Sequence, residues 1–269
     1  MIRAAAPAKI NLALVVGARR GDGKHEIATI MQRVDLCDRV AVESGGPLRV
    51  TGFGPDTTVR AALVALAGAA GVEPSWHARI WKSIPVAGGL GGGSSDAAAA
   101  LVLANATLEV PLPADALHDV ARRVGADVPF FLEPGPRLAT GDGTALMPLD
   151  LPQDYFVLLA LPHGARKEST RAVYARFAGA AGFDDRRAAV AEIAASAQRP
   201  RDLAALPPND LASSPLAAEL VRLGAFRADV SGAGPTVYGL FHHRAAADAA
   251  AESIRPHARV WITVPAWYG

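Results

Sequence analysis

A glycine-rich segment that leads directly into an alanine-rich segment is the most restrictive feature of this sequence. It runs over 85–96, contains five glycines and continues into the apolar residues of 97–108. Glycines leave backbone N–H groups unscreened, and the start of a helix adds unpaired N–H groups and the positive end of the helix dipole. Such an element binds phosphate. The alternative is a flexible linker or a close-packed glycine turn, although a linker would not lead into so apolar a helix.

The kind of phosphate loop is narrowed by the residues that are absent from it. A P-loop places a lysine directly after its last glycine, but Ser94 follows Gly93 here. The dinucleotide fingerprint G-x-G-x-x-G fails as well, because Gly89 and Gly91 are followed by Ser94, and Gly91 and Gly93 by Asp96. The sequence therefore predicts a phosphate loop of another class, whose lysine comes from elsewhere in the chain.

Composition and net charge limit which partners the protein is expected to bind and in which compartment it is expected to act. The 269 residues suffice for about two domains and carry a net charge of +1, so no overall field recruits nucleic acid or an anionic membrane. The single cysteine, Cys37, cannot form an internal disulfide, and the first residues lack the apolar core of a signal peptide. We therefore expect a cytoplasmic enzyme without nucleic-acid or membrane partners; the sequence leaves its state open as a monomer or a homodimer.

The order of strand-like and helix-like segments predicts an α+β fold. The first half contains a predicted strand over 8–16, a strand of edge type over 76–80 and an apolar helix over 96–108. The pattern of strand-like and helix-like segments is interrupted near residue 150 and a new strand follows. We therefore place a boundary there, between domains 1–150 and 151–269. In the second half, strands mix with helices, one of them predicted over about 168–178. No regular βαβ alternation is present, which argues against a doubly wound sheet.

Two charged residues stand out in apolar surroundings. Lys9 alternates with apolar residues in the first strand and shares a face with Asn11, so it either points to solvent or meets an anion. Asp127 follows the end of a predicted helix over 114–124 and precedes two phenylalanines; it is either a turn carboxylate or a group that accepts a hydroxyl proton.

Two further segments each have a structural and a functional interpretation. The turn 231–236 contains Gly232 and Gly234, and it is either a tight β turn or a closure over a bound ligand. His25 follows Lys24 in a polar loop, where it is either solvated or reads the edge of a base or a sugar.

Taken together, these segments resemble the GHMP family of small-molecule kinases. The resemblance is carried, in the family's order, by P-A-K-I-N-L at 7–12, R-G-D-G-K-H-E at 20–26, Gln32 with Asp35-Leu36, the glycine loop, G-A-D-V-P-F-F at 125–131, Asn209-Asp210 and S-G-A-G-P-T at 231–236. These matches are spread over nearly the whole chain. Each motif is modest, but the lysine–asparagine strand, the glycine loop and G-A-D-V-P-F-F together are specific.

The resemblance implies a two-domain fold and a cleft site. The fold is an N-terminal domain like the second domain of ribosomal protein S5, joined to a ferredoxin-like C-terminal domain, with the site between them. Lys9 and Asp127 are implied as the catalytic pair, and ATP and Mg²⁺ as cofactors, with Ser94 or Ser95 as a candidate Mg²⁺ contact but no metal ligand set predicted. The implied ATP-binding residues are Pro85, Val86, Ala87, Gly88, Gly89, Leu90, Gly91, Gly92, Gly93, Ser94 and Ser95. Those implied for the acceptor substrate are Asn11, Lys24, His25, Asp127, Gly232 and Gly234.

One residue departs from the pattern of the family, and it bears on which alcohol accepts the phosphoryl group. Within the family, the resemblance is to members that phosphorylate an alcohol linked to cytidine diphosphate, in which a tyrosine before the histidine stacks on the cytosine and the histidine contacts it. Here Lys24 precedes His25 and offers charge and a methylene stem instead of a ring. Another acceptor, such as homoserine, mevalonate or a sugar, therefore stays an alternative, as does a non-catalytic nucleotide-binding module.

Overall fold

Two long antiparallel strands form the central hairpin of the fold. In the computed structural model, which describes residues 1–54, 57–165, 169–177, 179 and 181–266, strand β1 (Ile2–Arg19) pairs with β2 (His25–Ser44). The turn between them closes where the carboxylate of Asp22 accepts the N–H of Lys24 at 3.0 Å. The predicted strand over 8–16 is therefore the centre of a longer one.

The larger sheet is built around β2. Its further strands are β3 (Arg49–Thr51), β4 (Trp76–Trp81), β5 (Arg137–Gly141) and β6 (Ala145–Pro148). The order is β3-β4-β2-β5-β6, with β1 on β2. The expectation that residues 76–80 form an edge strand is wrong, because β4 pairs with β2 on one side and, in parallel, with the short β3 on the other.

Helices cover the inner face of this sheet. They are α1 (Thr58–Ala70), α2 (Gly92–Asn105) and α3 (Ala114–Val124), followed by a 3-10 helix (Pro129–Leu132). Helix α2 packs against α1 and the β1–β2 hairpin, as its apolar composition predicts. It begins at Gly92, before the predicted start at Asp96, so the last two glycines of the loop belong to its first turn.

The second half of the chain forms a smaller antiparallel sheet. Its strands are β7 (Phe156–Pro162), β8 (Arg227–Val230), β9 (Val237–Phe241) and β10 (Ala258–Thr263), in the order β10-β7-β9-β8. Its helices are α4 (Thr170–Arg176), α5 (Phe183–Ser196), α6 (Pro215–Arg222) and α7 (Arg244–Ile254), with a 3-10 helix at Pro200–Ala205. The ends of the helix predicted over 168–178 lie outside the described residues.

The two sheets confirm the expected α+β arrangement, and an apolar cluster joins them. It brings Ile10 and Leu12 of β1 into contact with Val157 of β7 and Leu240 of β9. We propose that the domains divide near residue 150, where the strands of one sheet end before those of the other begin. Within the described ranges, we find no helix both long and apolar enough to cross a bilayer.

Candidate active site

The glycine loop lines a cavity between the two halves of the molecule. It connects β4 to α2, and Gly89 and Gly91 adopt φ values of 82° and 70°. These left-handed conformations favour glycine. The cavity has a volume of about 400 Å³, and its walls include 85–94 of the loop together with Lys9 and Asp127. The loop and the predicted catalytic pair therefore meet in one place.

The second glycine turn packs directly on this loop. The hydroxyl of Ser231 donates to the carbonyl of Gly89 at 3.1 Å, and the N–H of Thr236 donates to that of Gly88 at 3.1 Å. A methyl group on Gly89 would lie 2.6 Å from the Ser231 carbonyl oxygen and 2.7 Å from that of Gly234. Gly232 lines the cavity. The two turns therefore form one wall, whose close backbone approach leaves no space for a side chain.

Lys9 is buried and meets an anion across the cavity. Only 4% of the residue is exposed, and its Nζ lies 3.5 Å from Oδ2 of Asp127, whose side chain is 42% exposed. The ammonium also donates to Oδ1 of Asn11 at 2.6 Å. The amide of Asn11 in turn donates to Oγ of Thr29 at 2.8 Å, which fixes which end of the amide faces the lysine. This chain of hydrogen bonds holds the ammonium against the carboxylate.

The segment 125–132 explains why Asp127 faces the cavity. Helix α3 ends at Gly125, whose carbonyl accepts the N–H of Val128 at 3.1 Å. Pro129 then begins the 3-10 helix, and Phe130 is fully buried. Apolar anchors thus follow a tight turn, and the short polar residue at its apex is left pointing outward.

A partly buried lysine bound to two carboxylates lies beside the loop, and sequence reasoning missed it. The Nζ of Lys82 donates to Asp96 Oδ2 at 2.7 Å and to Asp38. Both carboxylates are fully buried, and Asp38 also accepts the N–H of Ile84 at 2.8 Å. Burial lowers the pKa of Lys82, but the hydrogen bonds to both carboxylates outweigh it and raise the pKa above its ordinary value. The lysine therefore stays charged at one wall of the cavity.

Lys82 could have been found from its position directly before the loop. Asp96, in the first turns of α2, turns its carboxylate to Lys82. Asp38 gives no such signal, because a lone aspartate in a strand pattern is usually solvent-exposed. Only the pairing of β2 with β4 brings it to the lysine.

A second hollow of about 550 Å³ opens beside the first. Lys24, His25 and Tyr174 line it, and Asp127 and Tyr174 also line the first cavity. The His25 ring lies 5.8 Å from that of Tyr174 and 5.7 Å from that of Phe177, and its Nδ1 is 2.9 Å from the carbonyl oxygen of Gly17. The hollow thus offers a flat aromatic wall and a histidine near the predicted catalytic carboxylate.

Lys24, the residue that departs from the family pattern, forms an ion pair. Its Nζ lies 2.6 Å from Oδ2 of Asp142, and the hydrogen bond from Lys24, with a further one from Thr144, lowers the pKa of Asp142 to about 2. Burial, with a smaller contribution from Asp127, raises the pKa of Tyr174, so this phenol stays neutral. No local pattern of residues marks Tyr174, because it enters the site from a short helix in the second half of the chain.

The donor groups for a cation are few. Among the described residues, no group of three or more histidine, cysteine, aspartate or glutamate side chains is arranged to hold a metal. Ser94 lines the cavity, whereas Ser95 is 1% exposed and its hydroxyl has no hydrogen-bond partner within the described part of the chain. Mg²⁺ is commonly held by one or two protein oxygens together with substrate phosphates and water. The Ser94 hydroxyl fits that role.

Comparison with known proteins agrees with this geometry. The profile described as GHMP kinases N terminal domain matches residues 57–135, and that described as GHMP kinases C terminal matches 186–258. A protein of Anaeromyxobacter sp. (strain Fw109-5) named 4-diphosphocytidyl-2-C-methyl-D-erythritol kinase is 41% identical over 93% of this chain and 85% of its own. The chain belongs to the GHMP kinase family. It is a small-molecule kinase that takes ATP as its phosphoryl donor.

Other GHMP kinases extend the comparison. A relative of the same name from Geobacter sulfurreducens is 36% identical over 96% of this chain and 95% of its own. A crystal structure of 4-(cytidine 5'-diphospho)-2C-methyl-D-erythritol kinase superposes with a TM-score of 0.79 at 30% identity, covering 98% of this chain and all of that one. Homoserine kinase from Cytophaga hutchinsonii gives a TM-score of 0.77 at 17% identity, covering 100% of this chain and 96% of its own, which supports the shared fold alone.

Proposed function

We propose that this GHMP kinase transfers the γ-phosphoryl group of ATP to a hydroxyl of 4-diphosphocytidyl-2-C-methyl-D-erythritol, a step of the non-mevalonate route to isoprenoid precursors. The relatives with this name are 36% and 41% identical over nearly the whole chain, which supports the choice of acceptor. The observation that carries the chemistry is the 3.5 Å approach of Lys9 to Asp127 beside the glycine loop. A binding module without catalysis would need neither group.

Asp127 is the proposed base. Its carboxylate is partly exposed in the cavity and reaches the second hollow as well, so an acceptor seated there presents its hydroxyl to Oδ2. The hydroxyl proton moves to the carboxylate as the oxygen attacks the γ-phosphorus and the bond to the β-phosphate oxygen breaks. Phosphoryl transfer depends mostly on positioning and on charge stabilisation, so a single well-placed acceptor of the proton is sufficient.

Lys9 has two proposed tasks. Its ammonium holds the Asp127 carboxylate in place through the ion pair, and it stabilises charge on the transferring group. Asn11 orients the ammonium through the 2.6 Å hydrogen bond. Because Lys9 is almost fully buried, its charge acts through a medium less polarisable than water, which strengthens both interactions.

The phosphates of ATP are proposed to lie along 85–95. Backbone N–H groups from Gly89 onward and the start of α2 supply donors, and the positive end of the helix faces the cavity. Lys82 lines the same wall, with its charge paired to Asp38 and Asp96. Ser94 is the residue that would hold Mg²⁺, which would neutralise charge on the phosphates of ATP.

The cytidine part of the acceptor is proposed to occupy the hollow beside His25. Its ring stacks on Tyr174 and its polar edge faces the histidine, while the ion pair of Lys24 with Asp142 lies at the rim. Gly232 lines the cavity near the reacting hydroxyl, and Gly234 packs on Gly89 of the glycine loop. A cytoplasmic monomer or homodimer without a nucleic-acid partner belongs to the same proposal, on the basis of the lone Cys37 and the small net charge.

A panel of alcohols tests the acceptor. The purified protein is incubated with ATP and Mg²⁺ and, separately, with diphosphocytidyl methylerythritol, homoserine, mevalonate and a sugar, and ADP release is measured. We expect turnover with the first alone. Turnover with another alcohol but not the first would overturn the acceptor while leaving the kinase assignment; nucleotide binding without ADP release across the panel would favour a non-catalytic module.

A further inference from the structure

A second buried cation lies next to Lys9, and the chemistry above does not use it. Arg33 is the partner of Lys9 in the register of β1 and β2, and it is 6% exposed. Directly paired residues of an antiparallel ladder project from the same face of the sheet. Both side chains therefore reach the same neighbouring segment, residues 125–133, which carries Asp127.

The guanidinium of Arg33 binds the far end of that segment. Its Nη2 donates to the carbonyl oxygen of Phe130 at 3.0 Å and to that of Glu133. Its Cζ lies 5.5 Å from the ring centroid of Phe130 and 6.0 Å from that of Phe131. Within the short helix, the Phe130 carbonyl accepts the N–H of Glu133 at 3.4 Å, and the cationic donor adds a shorter, charge-assisted hydrogen bond at the same helix end. Arg33 thus fixes the backbone just after the residue that faces the cavity.

The same segment is confined from its other sides. Lys9 meets Asp127 at its beginning, and the ring of Phe131 lies against the glycine loop, where its Cζ would be 2.9 Å from a methyl group on Gly91. Residues 125–133 are therefore held between the paired cations of the hairpin and the phosphate loop. A shift of this segment would move Asp127 relative to Lys9.

Burial alone gives little reason for an arginine at this position. Burial, followed by the nearby charge of Arg137, lowers the pKa of Arg33 to about 10, partly offset by Glu133. Replacing buried charges by apolar side chains of similar volume is often neutral or stabilising. What an apolar side chain cannot supply is the pair of contacts to the carbonyls of Phe130 and Glu133.

We propose that Arg33 is a positioning residue, which holds Asp127 at its working distance from Lys9 by fixing the carbonyls of Phe130 and Glu133. It touches neither substrate. This inference rests on the proposed role of Asp127 as the base. Because a misplacement of about 1 Å at a reacting group can cost roughly 100-fold in rate, loss of Arg33 acts on turnover.

The test compares Arg33→Met with a matched variant. We expect Arg33→Met to lower kcat by roughly 10- to 100-fold, with the KM for ATP changed by less than about threefold. The control is Arg137→Met, which removes an equally buried arginine whose Nη2 binds the side chain of Glu133 at 3.2 Å. It is expected to keep kcat within about threefold, since the carbonyl contacts of Arg33 remain. Arg33→Lys is expected to regain part of the rate, because an ammonium can donate to one carbonyl.

The outcomes separate positioning from general stability. Circular dichroism at the assay temperature gives the folded fraction, and kcat is expressed per folded molecule. Equal losses of kcat in Arg33→Met and Arg137→Met, or full kcat in folded Arg33→Met, would overturn the inference. If Arg33→Met does not fold, Arg33→Gln and Arg33→Lys are tested in its place. A wild-type kcat in both of these variants would also overturn the inference. An active Asp127→Asn would instead refute the proposed base, independently of Arg33.

Discussion

Lys9 Nζ lies 3.5 Å from the carboxylate of Asp127, with the lysine almost fully buried and the aspartate open to the cavity. This asymmetry suits a pair in which one member holds charge in place and the other exchanges a proton with a substrate. The amide of Asn11 directs the ammonium through a 2.6 Å hydrogen bond, so the protein itself holds the geometry of the pair. Geometry held by the protein reduces the reorganisation needed during the reaction.

Replacing the proposed base separates catalysis from binding. Asp127→Asn keeps the shape of the side chain but cannot accept a proton, and we expect kcat to fall by at least about 100-fold while ATP affinity stays within a few-fold. Steady-state ADP release and nucleotide titration measure the two effects. Asp119→Asn is the matched control, because this aspartate is 58% exposed on α3 and pairs with Arg122. An Asp127→Asn protein with the wild-type rate would remove Asp127 from the mechanism.

Lys9 and Asp127 are expected to act as a unit. Lys9→Met should lower kcat by an amount similar to Asp127→Asn, and the double variant should be little worse than either single variant, because groups that serve one step have strongly non-additive effects. A double-mutant cycle on kcat/KM measures this coupling. Losses that simply multiply would mean that the two side chains contribute independently.

Gly89→Ala tests the contact between the two glycine turns. The new methyl group would meet two backbone carbonyl oxygens at 2.6 and 2.7 Å, and the φ of 82° disfavours a side chain. We expect a rise of roughly tenfold or more in the KM for ATP, corresponding to strain of about 1–3 kcal/mol. Gly68→Ala provides the comparison, since in the described part of the chain no atom beyond its chain neighbours and the nearby backbone of α1 lies within 4 Å of its methyl position. An unchanged KM in Gly89→Ala would show that the turns separate freely.

Tyr174 is expected to matter for the acceptor and not for ATP. Stacking of a base on an aromatic ring contributes about 1–3 kcal/mol, so Tyr174→Leu should raise the KM for diphosphocytidyl methylerythritol by roughly 5- to 150-fold. Tyr174→Phe keeps the aromatic ring and should leave the KM for the acceptor unchanged. Initial rates at saturating ATP, with the acceptor varied, distinguish the two variants. Equal KM values in the leucine and phenylalanine variants would place the base elsewhere.

The Lys24–Asp142 pair predicts an acid-dependent contribution to stability. The pKa of Asp142 is lowered to about 2 in the folded protein, below its value of about 3.9 in an unfolded chain. The stabilisation is therefore present above pH 4 and is lost as the pH falls through 2. We expect Asp142→Asn to lower the free energy of unfolding by up to about 1 kcal/mol at pH 6 and by less at pH 3. Urea titrations at pH 6 and pH 3 measure the difference in free energy of unfolding between Asp142→Asn and the wild type. A difference that is larger at pH 3 than at pH 6 would contradict the assignment.

Local patterns in the sequence were sufficient for much of the fold and for the core of the site. Helix α3 was predicted with its observed bounds, because its periodicity and the glycine after it are local signals. The start of α2 was misplaced, since glycine has low helix propensity, and the burial of the following residues, Ser95 to Ala98, overrides it. The edge assignment of residues 76–80 failed because the short β3 gives almost no sequence signal.

The sequence by itself determined the glycine loop, the lysine of the first strand and the aspartate after α3, because each is marked by residues within a few positions of it. Only the tertiary structure decided that Lys82 is shared by Asp38 and Asp96, that Tyr174 faces His25, and that Arg33 binds the segment carrying Asp127. These contacts join residues distant in the chain. Their energy depends on burial and on strand register, neither of which a local pattern of residues encodes.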